Sequence, residues 1–105
     1  MAEEFKELMQ MMRSPVFSNS VRVGILLILL GVDRITFTDL LKSIDLSKSS
    51  LYSHLKVLQD NGMIIVKDMF TISRPRTMIQ ITPKGKTALQ KYLELIEKYS
   101  KRDST

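Results

Sequence analysis

Two small groups of residues in this 105-residue chain have the types and spacing to grip a polyanion. One is Arg74-Pro75-Arg76, inside the stretch TISRPRT. Neither arginine has an acid within two residues, and turning a chain does not require two unmatched guanidinium groups. Proline fixes its own φ and donates no backbone bond, so it stiffens the segment. Arginines on a stiffened tip lose less freedom on binding, and a narrow minor groove attracts them by its negative potential. The other group is Ser49, Tyr52, Ser53 and Lys56, with Lys48 just before it. On a helical wheel, Leu51, Leu55 and Leu58 fall on one side and these polar residues on the other. Small hydroxyls allow close approach to base edges, and lysine reaches guanine acceptors or phosphate. Each group also has a plainer reading. Serines near a helix start can be caps and spacers, which suits Ser47 and Ser50 best. Tyr52 could lean onto its own domain, and Arg74 and Arg76 could pair with a distant acid such as Glu94.

The charge distribution favours the first reading. Between Leu46 and Lys91 lie Lys48, Lys56, Lys67, Arg74, Arg76, Lys84, Lys86 and Lys91, opposed only by Asp60 and Asp68. That segment carries +6 of a net +5, so the remainder sums to −1. A segregated basic half suits a polyanionic partner. His54, the only histidine, flanks the leucine stripe and reads as a half-buried, hydrogen-bonded structural residue. With no cysteine, one histidine and no carboxylate cluster, disulfides, thiol chemistry and a metal centre are not expected, nor is any other cofactor. No nucleophile–base pair, phosphate loop or carboxylate dyad suggests an enzyme.

The elements that must position these residues follow from periodicity and caps. Phe5, Leu8, Met9 and Met12 repeat at helical spacing, and Ser14-Pro15 breaks the pattern. Asn19 caps a second helix, apolar nearly all round, that Gly31 ends. Its ten-residue apolar run, Val23 to Val32, falls short of the about 20 residues a membrane span needs. The start of the chain, MAEEFKELMQ, carries acids where a signal peptide wants positive charge, so a cytoplasmic protein is expected. Ile35 adds a short strand, and Thr36-x-x-Asp39 caps a short helix bearing Phe37, Leu40, Leu41 and Ile44. Ser47 caps the next helix, which runs from Lys48 to about Asn61 and is closed by Gly62. Two β-like runs follow, Met63–Val66 extended towards Phe70 and Thr77–Ile81, framing the arginine loop. Thr82-Pro83 then starts a last helix reaching Ser100. Helices joined by a tight turn and followed by a hairpin predict a mainly α (α+β) fold, a winged helix-turn-helix with a two-stranded wing. The expected division is a single domain, 1–105, with an N-terminal helix at 1–14, the core at 19–82 and a dimerisation helix at 83–100.

The segments LSKSSLYSHLKVLQDNGMI, RPRTMIQITPKGKTAL, VRVGILLILL and ITFTDLLKSI resemble winged-helix transcriptional regulators of the MarR/ArsR type. The resemblance covers roughly residues 19–90 in the right order and spacing. It implies a homodimer that binds duplex DNA at promoters, with Ser49, Tyr52, Ser53 and Lys56 on the recognition helix and Arg74 and Arg76 in the wing. Two features depart from the pattern. The cysteine motifs of metal-sensing relatives are missing, and Ser20 stands where many relatives have proline.

The last helix bears two apolar stripes, Leu89, Leu93 and Ile96 beside Tyr92, Leu95 and Tyr99. A domain this small cannot easily bury both, so a dimer interface is expected from Phe5, Leu8, Met9, Met12, Leu89, Tyr92, Leu93 and Ile96. A small-molecule effector between the first and last helices would suit adaptable methionines, but no residue demands one. Two alternatives remain open: a winged-helix module for protein–protein interaction, and an architectural DNA-binding protein with little sequence preference.

Overall fold

The computed structural model describes residues 2–70 and 75–101. Its elements run α1 (Ala2–Arg13), α2 (Ser20–Val32), β1 (Arg34–Thr36), α3 (Phe37–Ser43), α4 (Lys48–Asp60), β2 (Ile64–Phe70), β3 (Pro75–Ile81) and α5 (Pro83–Ser100). This is the expected winged helix-turn-helix. Arg74 lies outside the described residues.

The caps act where the sequence puts them. Asn19 Oδ1 accepts from the backbone N–H of Val21 and Arg22, at 2.9 and 3.2 Å. Thr36 Oγ1 accepts from Asp39 N–H, Ser47 Oγ from Ser50 N–H and Thr82 Oγ1 from Gly85 N–H. At the end of α4, Gly62 takes φ 75°. Its N–H bonds the Gln59 carbonyl, and the Met63 N–H bonds that of Leu58. This is the paired closure that favours glycine at a helix C-terminus.

Gly31 does not end α2. The helix continues through Val32, and Asp33 stops it with φ 67° and ψ −45°, a positive-φ conformation outside the left-handed helical region. Asp33 then joins three elements. Its N–H closes α2 on Leu29, its carbonyl accepts from Ile81 N–H, and its carboxylate holds Lys86 Nζ at 2.6 Å.

The two-stranded hairpin gains a third strand. β1 pairs antiparallel with β3, giving the order β1-β3-β2, with Ile35 opposite Ile79 and Val66 opposite Ile79 on the other side. One face of this sheet closes on α2, α3 and α4. The core gathers Leu26 and Leu29 from α2, Leu40 from α3, Leu51 and Leu58 from α4, and Ile79 from β3, all fully buried. Gly85 lets α5 dock on this body. A Cβ there would sit 2.2 Å from the Met63 carbonyl oxygen, so only glycine fits.

The last helix divides its apolar residues differently from the expected stripes. Leu89, Tyr92 and Leu95 are buried together, Leu93 is half-buried, and Ile96 is exposed. Tyr92 stacks on Phe17 with ring centroids 4.5 Å apart. Leu8 of α1 is buried in the same core. Leu8, Leu89 and Tyr92 are therefore interior residues of the single chain, and the expectation that they face a partner is corrected. The residues left outward are Phe5, Met12 and Ile96, with Met9 and Leu93 half-buried beside them.

Candidate nucleic-acid interface

The turn between α3 and α4 sets the angle at which α4 leaves the body. Leu51, Leu55 and Leu58 anchor one side of α4 in the core. The opposite side presents Lys48, Ser49, Tyr52, Ser53 and Lys56, all exposed. Ser47 and Ser50 serve the helix start: Ser47 Oγ caps Ser50 N–H and lies 3.0 Å from Ser50 Oγ.

The exposed side chains differ in how tightly they are held. Tyr52 lies flat on Phe37, with centroids 4.4 Å apart and planes at 21°, while keeping 51% of its surface exposed. Phe37 itself is buried at the first position of α3. The tyrosine thus leans on its own domain and still keeps about half of its surface in solvent. Ser53 Oγ donates to the Ser49 carbonyl at 3.1 Å, which leaves its lone pairs free to accept. Lys56 approaches Asp60 at 3.5 Å, but both are largely in solvent, where such a pair is worth little. Lys56 can exchange that carboxylate for a phosphate at small cost.

His54 is half-buried on the flank of α4, as expected. Its Nδ1 lies 3.2 Å from Arg22 Nη1, and Arg22 Nε donates to the Pro15 carbonyl at 2.7 Å. Burial, with the Arg22 charge adding to it, pushes the imidazole below its ordinary pKa and so favours the neutral ring. Neutral Nδ1 can accept from the guanidinium. The histidine is a structural tie between α4, α2 and the segment after α1.

At the base of the wing, Pro75 and Arg76 are exposed, and Arg76 forms no ion pair among the described residues. It lines a groove of about 340 Å³ with Thr38, Asp39 and Lys42 of α3. Lys42 was not among the sequence candidates, because it falls before the basic segment and only the fold brings it beside Arg76. A second groove runs between α4 and the wing, lined by Tyr52, Lys56, Gln59, Val66, Asp68 and Thr77. There Thr77 Oγ1 donates to Asp68 Oδ1 at 2.9 Å, occupying the nearest acid.

At the other end, α1 packs along α5. Lys91 pairs with Glu7 at 3.6 Å, Lys98 with Glu4, and Phe5 meets Tyr99 edge-to-face at 5.4 Å. Lys98 holds Glu4 below the ordinary carboxylate range, and Glu4 raises Lys98 in return. Among the described residues no helix is long and apolar enough to cross a membrane, and no cluster of side chains could hold a metal ion.

A family profile described as a winged helix DNA-binding domain matches residues 21–100. The chain belongs to this family of winged-helix DNA-binding domains, and MarR-family regulators share its architecture. An uncharacterised protein of Methanocaldococcus jannaschii is 35% identical over 86 residues, covering 82% of this chain and 94% of that one. A solved transcriptional regulator homologue from Pyrococcus horikoshii OT3 is similar at 33% identity and a TM-score of 0.82, over 93% of this chain and 94% of its own. A DNA-bound structure of overoxidised AbfR is similar at 27% identity and a TM-score of 0.57, over 70% of this chain and 53% of that one.

Proposed function

We propose that this chain is a cytoplasmic transcriptional regulator that binds duplex DNA as a homodimer. The observation that carries the reading is the two-sided character of α4: leucines buried on one side, and only hydroxyl, phenol and ammonium groups on the first two turns of the other. In this reading α4 enters the major groove, where Ser49, Tyr52, Ser53 and Lys56 meet base edges and Lys48 meets phosphate. Arg76, together with Arg74, reaches the adjacent minor groove. The DNA-bound relative supports the partner class, and the P. horikoshii relative supports the regulatory role. Residues 19–82 form the DNA-reading core, with 1–14 and 83–100 serving association.

The dimer rests on the α1–α5 end, through Phe5, Met12 and Ile96 with Met9 and Leu93. Two-fold symmetry would set two copies of α4 about 34 Å apart, one turn of DNA. Selection of binding sites from a random duplex pool tests this directly. The expected outcome is an inverted repeat with half-sites one helical turn apart. Bound duplexes with no shared sequence would instead favour an architectural role.

A further inference from the structure

The sheet has a second face, turned away from α4, of which the DNA reading uses only Arg76, opposite Met69 at the wing end. Its registers place Arg34, Gln80 and Ile65 in one row and Thr36, Met78 and Lys67 in the next. Met69 continues the same side of β2, because side chains two apart on a strand share a face. Ile65 and Met69 are 37% and 44% exposed, Met78 is half-buried, and Arg34 and Lys67 are exposed. No acid shares this face, and neither Arg34 nor Lys67 has an ion pair among the described residues. β2, seven residues long, is also the outer strand of the sheet.

We propose that this face is a docking surface for an extended, acidic segment of another protein, laid along β2. An outer strand offers main-chain groups to an added strand, and alternate side chains on one face supply specificity. The alternation here is apolar, cationic, apolar: Ile65, Lys67, Met69. It calls for a segment that sets apolar side chains on Ile65 and Met69 and carboxylates at Lys67 and Arg34. Methionines adapt their shape to a partner at little cost.

Charge argues against a second copy as the occupant. Lys67 is the middle residue of β2, so two β2 strands paired antiparallel in full register would set Lys67 against Lys67. Like charges directly opposed destabilise such a pair. Apolar content argues against DNA, because Ile65, Met69 and Met78 match nothing on a phosphate backbone. Arg76 marks the wing end of this face opposite Met69, and the Arg34 row lies four residues further along β3, about 13 Å towards the body.

A fluorescein-labelled peptide of alternating glutamate and leucine is the probe, with a lysine–leucine peptide as control. Binding by the full chain is read by anisotropy and by amide shift changes in a two-dimensional NMR spectrum. Changes centred on Ile65, Lys67, Met78 and Gln80 are expected, with the control inert. Lys67→Glu should weaken the peptide about tenfold and Ile65→Ser by a similar factor, while both variants keep the parent's spectrum elsewhere and Ile65→Ser, which changes no charge, keeps its duplex affinity. Three results overturn the proposal: no binding at millimolar peptide, shift changes confined to another surface, or a duplex affinity that falls with Lys67→Glu while the peptide is unaffected. A change of oligomeric state in Ile65→Ser would reassign the face to contact between copies.

Discussion

The two ends of the molecule use the same residue types in opposite ways. Where α1 packs on α5, three lysines are matched: Lys91 with Glu7, Lys98 with Glu4 and Lys101, just past the end of α5, with Glu97. At α4 and the wing base, Lys48 and Arg76 have no ion pair among the described residues, and Lys56 has only a loose one. A matched cation is already satisfied and contributes to local order. An unmatched one, held on a rigid scaffold, attracts whatever negative charge arrives. The lesson is that the net charge says less than which cations the fold leaves without acids.

That contrast can be broken experimentally, starting where the effect should be largest. Leu89→Ala removes a fully buried side chain from α5 and should cost about 3 kcal/mol of stability in denaturant unfolding. It should leave the per-protomer DNA contacts of the folded fraction unchanged. Phe5→Glu with Ile96→Glu should leave the monomer folded, since both side chains are exposed, and convert dimer to monomer in sedimentation. Site-specific affinity should fall by about two orders of magnitude as the second half-site is lost. If sedimentation shows dimer unchanged, the α1–α5 end is not the interface. Tyr52→Ala should cost about 1 kcal/mol in stability through the lost stack on Phe37, whereas Tyr52→Phe should keep stability and lose only the hydroxyl's share of DNA affinity.

The smallest expected effect is in pH. His54 has a folded pKa below its unfolded value of 6.5, so the unfolded chain takes up the proton more readily. Stability should therefore be fully present above that value, decline as pH falls through it, and level off below the folded pKa. Melting temperatures for His54→Gln should lack this decline over the same window, before carboxylates titrate.

Much of this fold is legible in the sequence because its punctuation is local. Asn19, Thr36, Ser47, Gly62 and Thr82-Pro83 each satisfy or release backbone groups within a few residues, so their roles follow from neighbours alone. The alternation of Leu51, Leu55 and Leu58 with polar residues likewise announces both sides of α4. What depends on distant partners is not legible. Gly31 looks like a helix stop, yet Asp33 ends α2 because its carbonyl is claimed by Ile81, 48 positions away. The stripes of α5 cannot be assigned without α1 and Phe17, which is why Leu89 and Tyr92 were expected outside and lie inside. His54 reads as structural from its wheel position, but its partner Arg22 comes only from the packing of α2 on α4. Tyr52 invites two competing readings, and its stack on Phe37 shows that it leans on its own domain while staying half exposed.

The most direct test of the central claim is a salt series of anisotropy measurements on a duplex, comparing the parent with Lys48→Ala/Lys56→Ala/Arg76→Ala. The cations at the α4–wing end should release counterions from DNA, so log affinity should fall steeply with log salt. The triple variant should lose up to about three phosphate contacts' worth of slope, about 2.7 units, while its melting temperature stays unchanged. A parallel triple variant at the matched end, Lys91→Ala/Lys98→Ala/Lys101→Ala, should leave the slope intact. Equal slopes for the parent and the α4–wing variant, or a loss of slope only in the α5 variant, would contradict the account.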